Sequence, residues 1–306
     1  MQSLNFSESL NKVINDFFNR HNLVPRSLSI NESFAIYWGH QTIIEVKTNL
    51  NLVSHNFDPT KDVLWGILFA MLERIYLHVE AANVAYITES ASSSEVISRT
   101  IIESSINLLY IFNDHREGER LAQYFANYLS NEQLETEKWI KVALTLPEKR
   151  REVNINSAND KVEQLRKLQD FIDFSLIGID LPTTKSLDKS WPNISERFRL
   201  LGLNIDYRTI YATLSSQTHS DAEDLINYFV AASTGKPEKL DALKVKHEKF
   251  SHLMLYVAIG YYINAAGKYA ERFSLTNALK NINIIEVRIR KFIDEAAKDY
   301  VNEYYL

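Results

Sequence analysis

The chain has 306 residues, 45% apolar and 24% charged, with a formal net charge of −5 and no cysteine. That length supports one large core or two modest ones. The charge argues against a uniformly basic nucleic-acid surface, and the lack of cysteine excludes disulfides, thiolate catalysis and cysteine-ligated zinc or iron–sulfur centres.

Only eight glycines and six prolines occur, which suits long helices better than the many tight turns of an all-β fold. Leu4, Leu10, Val13, Ile14, Phe17 and Phe18 follow helical spacing, and Pro25 closes that first segment. A second helix is predicted from about Ser33 to Val53. Asp58-Pro59 reads as a helix start, and the helix it opens runs toward Thr88. Leu64, Trp65, Leu68, Phe69, Leu72 and Ile75 make that helix apolar over much of its circumference, so it is expected near the centre. Ser92-Ser93-Ser94-Glu95 reads as a polar break that caps the next helix, which carries Arg99 and Glu103 to about Phe112. A helix over 119–146 presents Leu121, Tyr124, Phe125, Tyr128 and Leu129 as one stripe, Pro147 interrupts it, and a charged helix continues to Ile177.

Residues 178–192 form the one long loop. Short helices are predicted over 193–201, 206–219 and 221–232, with Ser220-Asp-Ala-Glu223 as a capping box. Two long helices, about 237–272 and 275–304, end the chain. No strand pattern competes, so the expected fold is all-α: a multi-helix bundle with a short-helix segment around 193–232. The expected division is an N-terminal helical segment, 1–57, packed on a main bundle domain, 58–306. The apolar run Leu253–Ala266, broken by Asn264, is shorter than the roughly 20 residues a membrane span needs, and reads as a buried helix. No signal peptide is read at the start, and a cytoplasmic location is expected.

Polar chemistry concentrates in two stretches. Tyr211, Ser215 and His219 fall at i, i+4 and i+8 and so would share a helix face. His219 lies at a helix seam, where opposing dipole ends would let an imidazole titrate near neutrality. Arg99 and Glu103 share a face with Asn107 and Tyr110. The order Arg then Glu is the weaker one for helix stability, which favours a tertiary role for Arg99, such as holding a phosphate or carboxylate. The alternative is structural: an internal Arg–Glu pair fixing helix packing, with Tyr211 and His219 satisfying backbone groups at a helix corner.

Other chemistry finds little support. His247 and His252 are five apart, a poor spacing for one helix face, and His252 lies four from Glu248 as in a surface pair. No metal site and no cofactor is expected, and no phosphate-binding glycine loop is present. A local serine triad around His219 fails because triads are assembled by geometry, not by nearness in sequence. The mixed-sign run Glu148–Glu152 reads as a solvated face. Tyr300, Tyr304 and Tyr305 would dock on the bundle or on another chain.

Arg99-x3-Glu103 with Leu108 and Tyr110, then Arg120-x3-Tyr124, then Trp191, Arg197, Gly202, Tyr207 and Tyr211-x2-Leu214-Ser215-x3-His219 resemble an uncharacterised bacterial all-helical domain family, over roughly residues 60–260. That resemblance implies a helical fold with a polar cluster but no agreed reaction, and some relatives lie near anti-phage genes. It brings Arg120, Tyr124 and Ser215 in as ligand-binding candidates beside Arg99, Glu103, Tyr211 and His219 as catalytic ones. A looser similarity is to helical ribonuclease toxins of the HEPN type, whose Arg-x4–6-His element is approached by Arg74-x3-His78, one residue short. Action in that manner would require Arg99 and His219 to converge from separate helices.

Two functions follow. One is a binding module for a protein partner or a small anionic ligand. The other is a metal-independent ribonuclease or nucleotide-acting effector, with His219 as acid or base and Arg99 steadying phosphate. RNA and a second copy of the chain stand as alternative partners, and no membrane partner is expected.

Overall fold

The computed structural model describes residues 2–53, 62–114, 118–178, 181–187, 190–214, 226, 229–230, 232–233 and 237–302. Among these no strand occurs, and the fold is all-α. The helices are α1 (Gln2–Arg20), α2 (Ile30–Val53), α3 (Asp62–Ile87), α4 (Ala91–Phe112), α5 (Glu119–Ala143), α6 (Glu148–Ile177), α7 (Ile194–Leu200), α8 (Asn204–Asp206), α9 (Pro237–Arg272) and α10 (Thr276–Asn302). A π-helical turn, Tyr207–Tyr211, follows α8.

The helix ends have local causes. At the start of α2, Glu32 accepts from the Ser29 backbone N–H at 2.6 Å, and the Ser29 hydroxyl accepts from the Glu32 N–H at 3.2 Å. This reciprocal capping box places the start at Ile30, slightly earlier than periodicity suggested. Four helices stop on a left-handed residue: Asn22 (φ 51°), Glu89 (φ 62°), Gly202 (φ 74°) and Ser274 (φ 54°). The next N–H reaches back five residues in each case, as in Ser90 to Ala85 at 2.9 Å and Leu275 to Ala270 at 2.8 Å. The break before α4 is therefore at Glu89–Ser90. Ser92–Glu95 lies inside α4, with Ser94 and Glu95 buried, because the backbone stop lies upstream of the polar run. Asp58 and Pro59 lie outside the described residues.

The chain divides into two compact units: Met1–Asn56, Leu68–Phe112 and Ile194–Leu306 form the first, Phe57–Ile67 and Asn113–Asn193 the second. In the first, α9 packs against α4, α10 and α2, and its stretch from Leu253 to Ala266 is buried nearly all round. That is why this run reads as apolar without periodicity. Ring contacts seat α3 on the same helix, Phe69 on Tyr269 and Tyr76 on Tyr262. Trp38 of α2 is enclosed between Phe34, stacked at 4.9 Å, and the edge of Phe292 at 4.9 Å.

The second unit is the α5–α6 hairpin. Its core is Ala122, Leu129, Leu165, Ile172 and Leu176, with Phe125, Leu181 and Leu187 packed against it. Asp173 accepts from both the backbone N–H and the hydroxyl of Thr184 at 2.7 Å, folding the following loop back on α6. Tyr128, expected in the apolar stripe, is exposed. It sits at the edge of the stripe, and its phenol favours water over the core.

His247 and His252 do face different neighbours. His247 Nε2 lies 3.0 Å from Glu95 Oε1 of α4. His252 is no surface partner of Glu248: its ring stacks on Tyr86 at 5.3 Å and contacts Tyr256 at 4.5 Å. The face of α9 that carries it is turned toward α3. Burial holds His252 below the ordinary histidine value of 6.5, against the opposing fields of Glu32 and Asp299. His40 and His78 are lowered in the same direction, chiefly by burial. Below pH 6.5 the unfolded chain therefore binds these protons first, so stability is complete above that pH and is lost as pH falls toward the folded values. The urea midpoint is expected to be lower at about pH 5.5 than at about pH 7.5, and His252→Phe should flatten that slope.

Candidate functional site

The polar site of the first unit begins on α4. One face of this helix, Ser98, Ile101, Ile102, Ser105, Ile106 and Leu109, is buried, and the helix packs against α9. Arg99, Glu103 and Asn107 recur every fourth residue on its flank, half-buried. The short α7 packs against α4 and brings Arg197 and Phe198, both buried.

From Phe198 the chain turns through Gly202 into α8 and the π-turn. Phe198 is fully enclosed and its ring lies 5.7 Å from both Tyr207 and Tyr211 and 6.2 Å from Tyr261. Tyr261 of α9 donates to Asp206 Oδ2 at 2.6 Å, anchoring α8. Tyr207 stacks on Tyr211 at 5.8 Å. The π-turn lies where Tyr207 and Tyr211 both pack on Phe198. Such turns recur at functional sites.

Tyr211 is 3% exposed, and its phenol reaches α4. It donates to Glu103 Oε2 at 2.9 Å. Arg99 donates to the same phenol oxygen from Nε and Nη2, each at 3.4 Å, with its guanidinium carbon 5.3 Å from the ring centroid. Arg197 Nη2 lies 4.0 Å from Glu103 Oε1. Burial raises the Tyr211 pKa; Arg99 works against that shift and Glu103 adds to it. The phenol is thus a neutral relay between a guanidinium and a carboxylate. Tyr211→Phe is expected to cost about 1 kcal/mol, one hydrogen bond to a charged acceptor less the relief of letting Arg99 and Glu103 meet directly. Urea unfolding of the variant beside wild type measures it.

The structure therefore brings Arg99, Glu103 and Tyr211 together. Arg197, which spacing did not single out as a site residue, joins them; its signal was an arginine next to phenylalanine on the apolar face of a short helix. Ser215 and His219 lie outside the described residues, as do Asp221 and Glu223. Arg120 and Tyr124 are residues of the second unit. There the Arg120 backbone N–H bonds Asp114 Oδ2 at 2.9 Å, and Tyr124 sets its ring edge-on to Trp191 at 5.3 Å and to Phe125 at 5.6 Å. Among the described residues no group of three or more acidic or histidine side chains is placed to hold a metal ion. No helix of the described residues is long and apolar enough to cross a membrane.

No curated protein and no solved structure matches the chain. A family model does, over residues 66–237, a span that carries Arg99, Glu103, Arg197 and Tyr211. The chain belongs to that family, a family of unknown function designated DUF5677.

Proposed function

We propose that this member of the family is a binding module whose α4 cluster takes a small anionic ligand. The observation that carries the reading is the state of Arg99. Its guanidinium is half-buried, and its contact among the described residues is a neutral phenol at the outer limit of hydrogen bonding, not a carboxylate. Glu103, one turn away, is instead engaged by Tyr211. A guanidinium only loosely engaged by a neutral group suits a phosphate or carboxylate, which it can grip through two parallel N–H bonds. Glu103 and Tyr211 then act as positioning residues that keep Arg99 from collapsing onto its own helix.

Isothermal titration with inorganic phosphate, adenosine 5′-monophosphate and a short single-stranded RNA tests this. Saturable binding of a small anion, weakened as ionic strength rises, supports the reading. Absence of heat with all three ligands refutes it. Cleavage of the RNA, abolished by His219→Ala without loss of thermal stability, would replace it with the nucleotide-acting enzyme.

A further inference from the structure

A second polar centre lies far from the α4 cluster in sequence, where α1, α2 and α3 meet. Its hub is Glu80 of α3. Tyr76 donates its hydroxyl proton to Glu80 Oε1 at 2.7 Å, and Arg20 of α1 pairs with the same oxygen. The Tyr76 hydroxyl lies 2.8 Å from His40 Nδ1 of α2. Since its one proton goes to Glu80, it must accept from His40, which fixes the Nδ1–H tautomer. A carboxylate has about four lone-pair sites. Here both described donors converge on Oε1, so Glu80 is held rigid while Oε2 receives neither of them.

Glu80 lines a shallow groove of about 430 Å³ that stands largely open to solvent, so a ligand there would lie against α3 with one face in water. Leu77, Ala81 and Val84 of one α3 face line it, together with His21, Ser90 and Ser93. The His21 Nε2 atom is enclosed and lies 3.9 Å from Glu80 Oε1, beyond hydrogen-bond reach. The small side chain at Ala81 leaves the space, the aliphatic face of α3 favours a flat apolar body, and the carboxylate in the lining calls for an N–H donor. The charge of Glu80 is already met by Arg20, so a cationic ligand would meet an occupied site and repulsion from a guanidinium.

We propose that this groove is a second ligand site, for a neutral amino-substituted heteroaromatic ring that lies along α3 and donates its amino N–H to Glu80 Oε2. Preorganisation of the acceptor by Arg20 and Tyr76 lowers the cost of binding. The test is saturation-transfer NMR on the full chain with three probes: adenine, purine and benzamidine. Adenine is expected to receive saturation. Purine, which lacks the amino group, should bind about tenfold more weakly, and cationic benzamidine should be weaker than adenine. Ala81→Leu, which fills the groove without touching the hub, should abolish the adenine signal while the melting curve holds. Should Ala81→Leu fail to fold, Ser93→Phe in the lining serves the same purpose. No transfer to adenine, equal binding of purine, stronger binding of benzamidine, or an adenine signal that survives filling of the groove would each overturn the proposal. Arg99→Ala is expected to leave the adenine signal unchanged, which separates this site from the α4 cluster.

Discussion

Arg99→Ala is expected to weaken binding of a small anion by about ten- to a hundredfold while leaving the unfolding midpoint close to wild type. The two halves of this expectation come from the same geometry. Arg99 contributes little to the fold because its described contacts are two 3.4 Å approaches to one phenol oxygen and a guanidinium–ring contact at 5.3 Å. Contacts that long are weak. Its guanidinium nonetheless supplies the charge that an incoming anion would meet, and a charge-assisted pair in a half-buried setting is worth more than on open surface. Arg99→Lys should recover only part of the affinity, since an ammonium cannot form the planar two-point contact. Titration of both variants with the ligand identified for wild type, beside urea unfolding, gives the answer. A variant that loses stability in step with affinity would make Arg99 a packing residue and remove the basis for the anion site.

Trp38→Ala is expected to cost about 3–5 kcal/mol, the largest effect of any single substitution considered for this chain. Trp38 is 2% exposed, lies flat against Phe34 and takes the edge of Phe292. Phe292 in turn meets Tyr256 at 5.9 Å, so one indole joins α2, α10 and α9. Truncation leaves a cavity that these three helices cannot close without moving together, because protein interiors are packed like crystals. Denaturant unfolding followed by far-UV circular dichroism checks it. A cost below about 1 kcal/mol would mean the site collapses freely and that α2 is less firmly seated than its packing suggests.

The sequence carried different parts of this architecture with different clarity. Helices announced by punctuation were legible: Pro147 separates α5 from α6, and the apolar run from Leu253 marks the buried stretch of α9. Ends on a left-handed Glu89 or Ser274 lack the usual glycine signal, yet the expected ends at Thr88 and residue 272 fall within a residue of Ile87 and Arg272; the start of α4 was misplaced instead, because the polar run Ser92–Glu95 lies inside the helix. Arg99 and Glu103 could be put on one helix face from spacing alone. Their meeting with Tyr211, more than a hundred residues later, could not come from periodicity and rested on the resemblance between two separated motifs. The Glu80 hub was invisible for a similar reason. Arg20, His40, Tyr76 and Glu80 come from three helices, and each looks like an ordinary residue on its own helix. His252 was misread because a four-residue spacing to Glu248 says nothing about which neighbour the face meets.

The π-turn at Tyr207–Tyr211 also bears on how this stretch can vary. A wider turn is equivalent to one residue inserted into an ordinary helix. Deleting a single residue inside the turn can be absorbed as it rewinds to an ordinary helix, whereas deleting one just upstream, in α8, where no such slack exists, would rotate Tyr211 by about 100° and draw it back by about 1.5 Å. The ring of Tyr211 would then swing away from α4, whatever amino acids were kept. A one-residue deletion within Tyr207–Tyr211 should therefore be tolerated far better than one between Phe198 and Asp206, and relatives that share the cluster are expected to keep the same number of residues from Phe198 to Asp206.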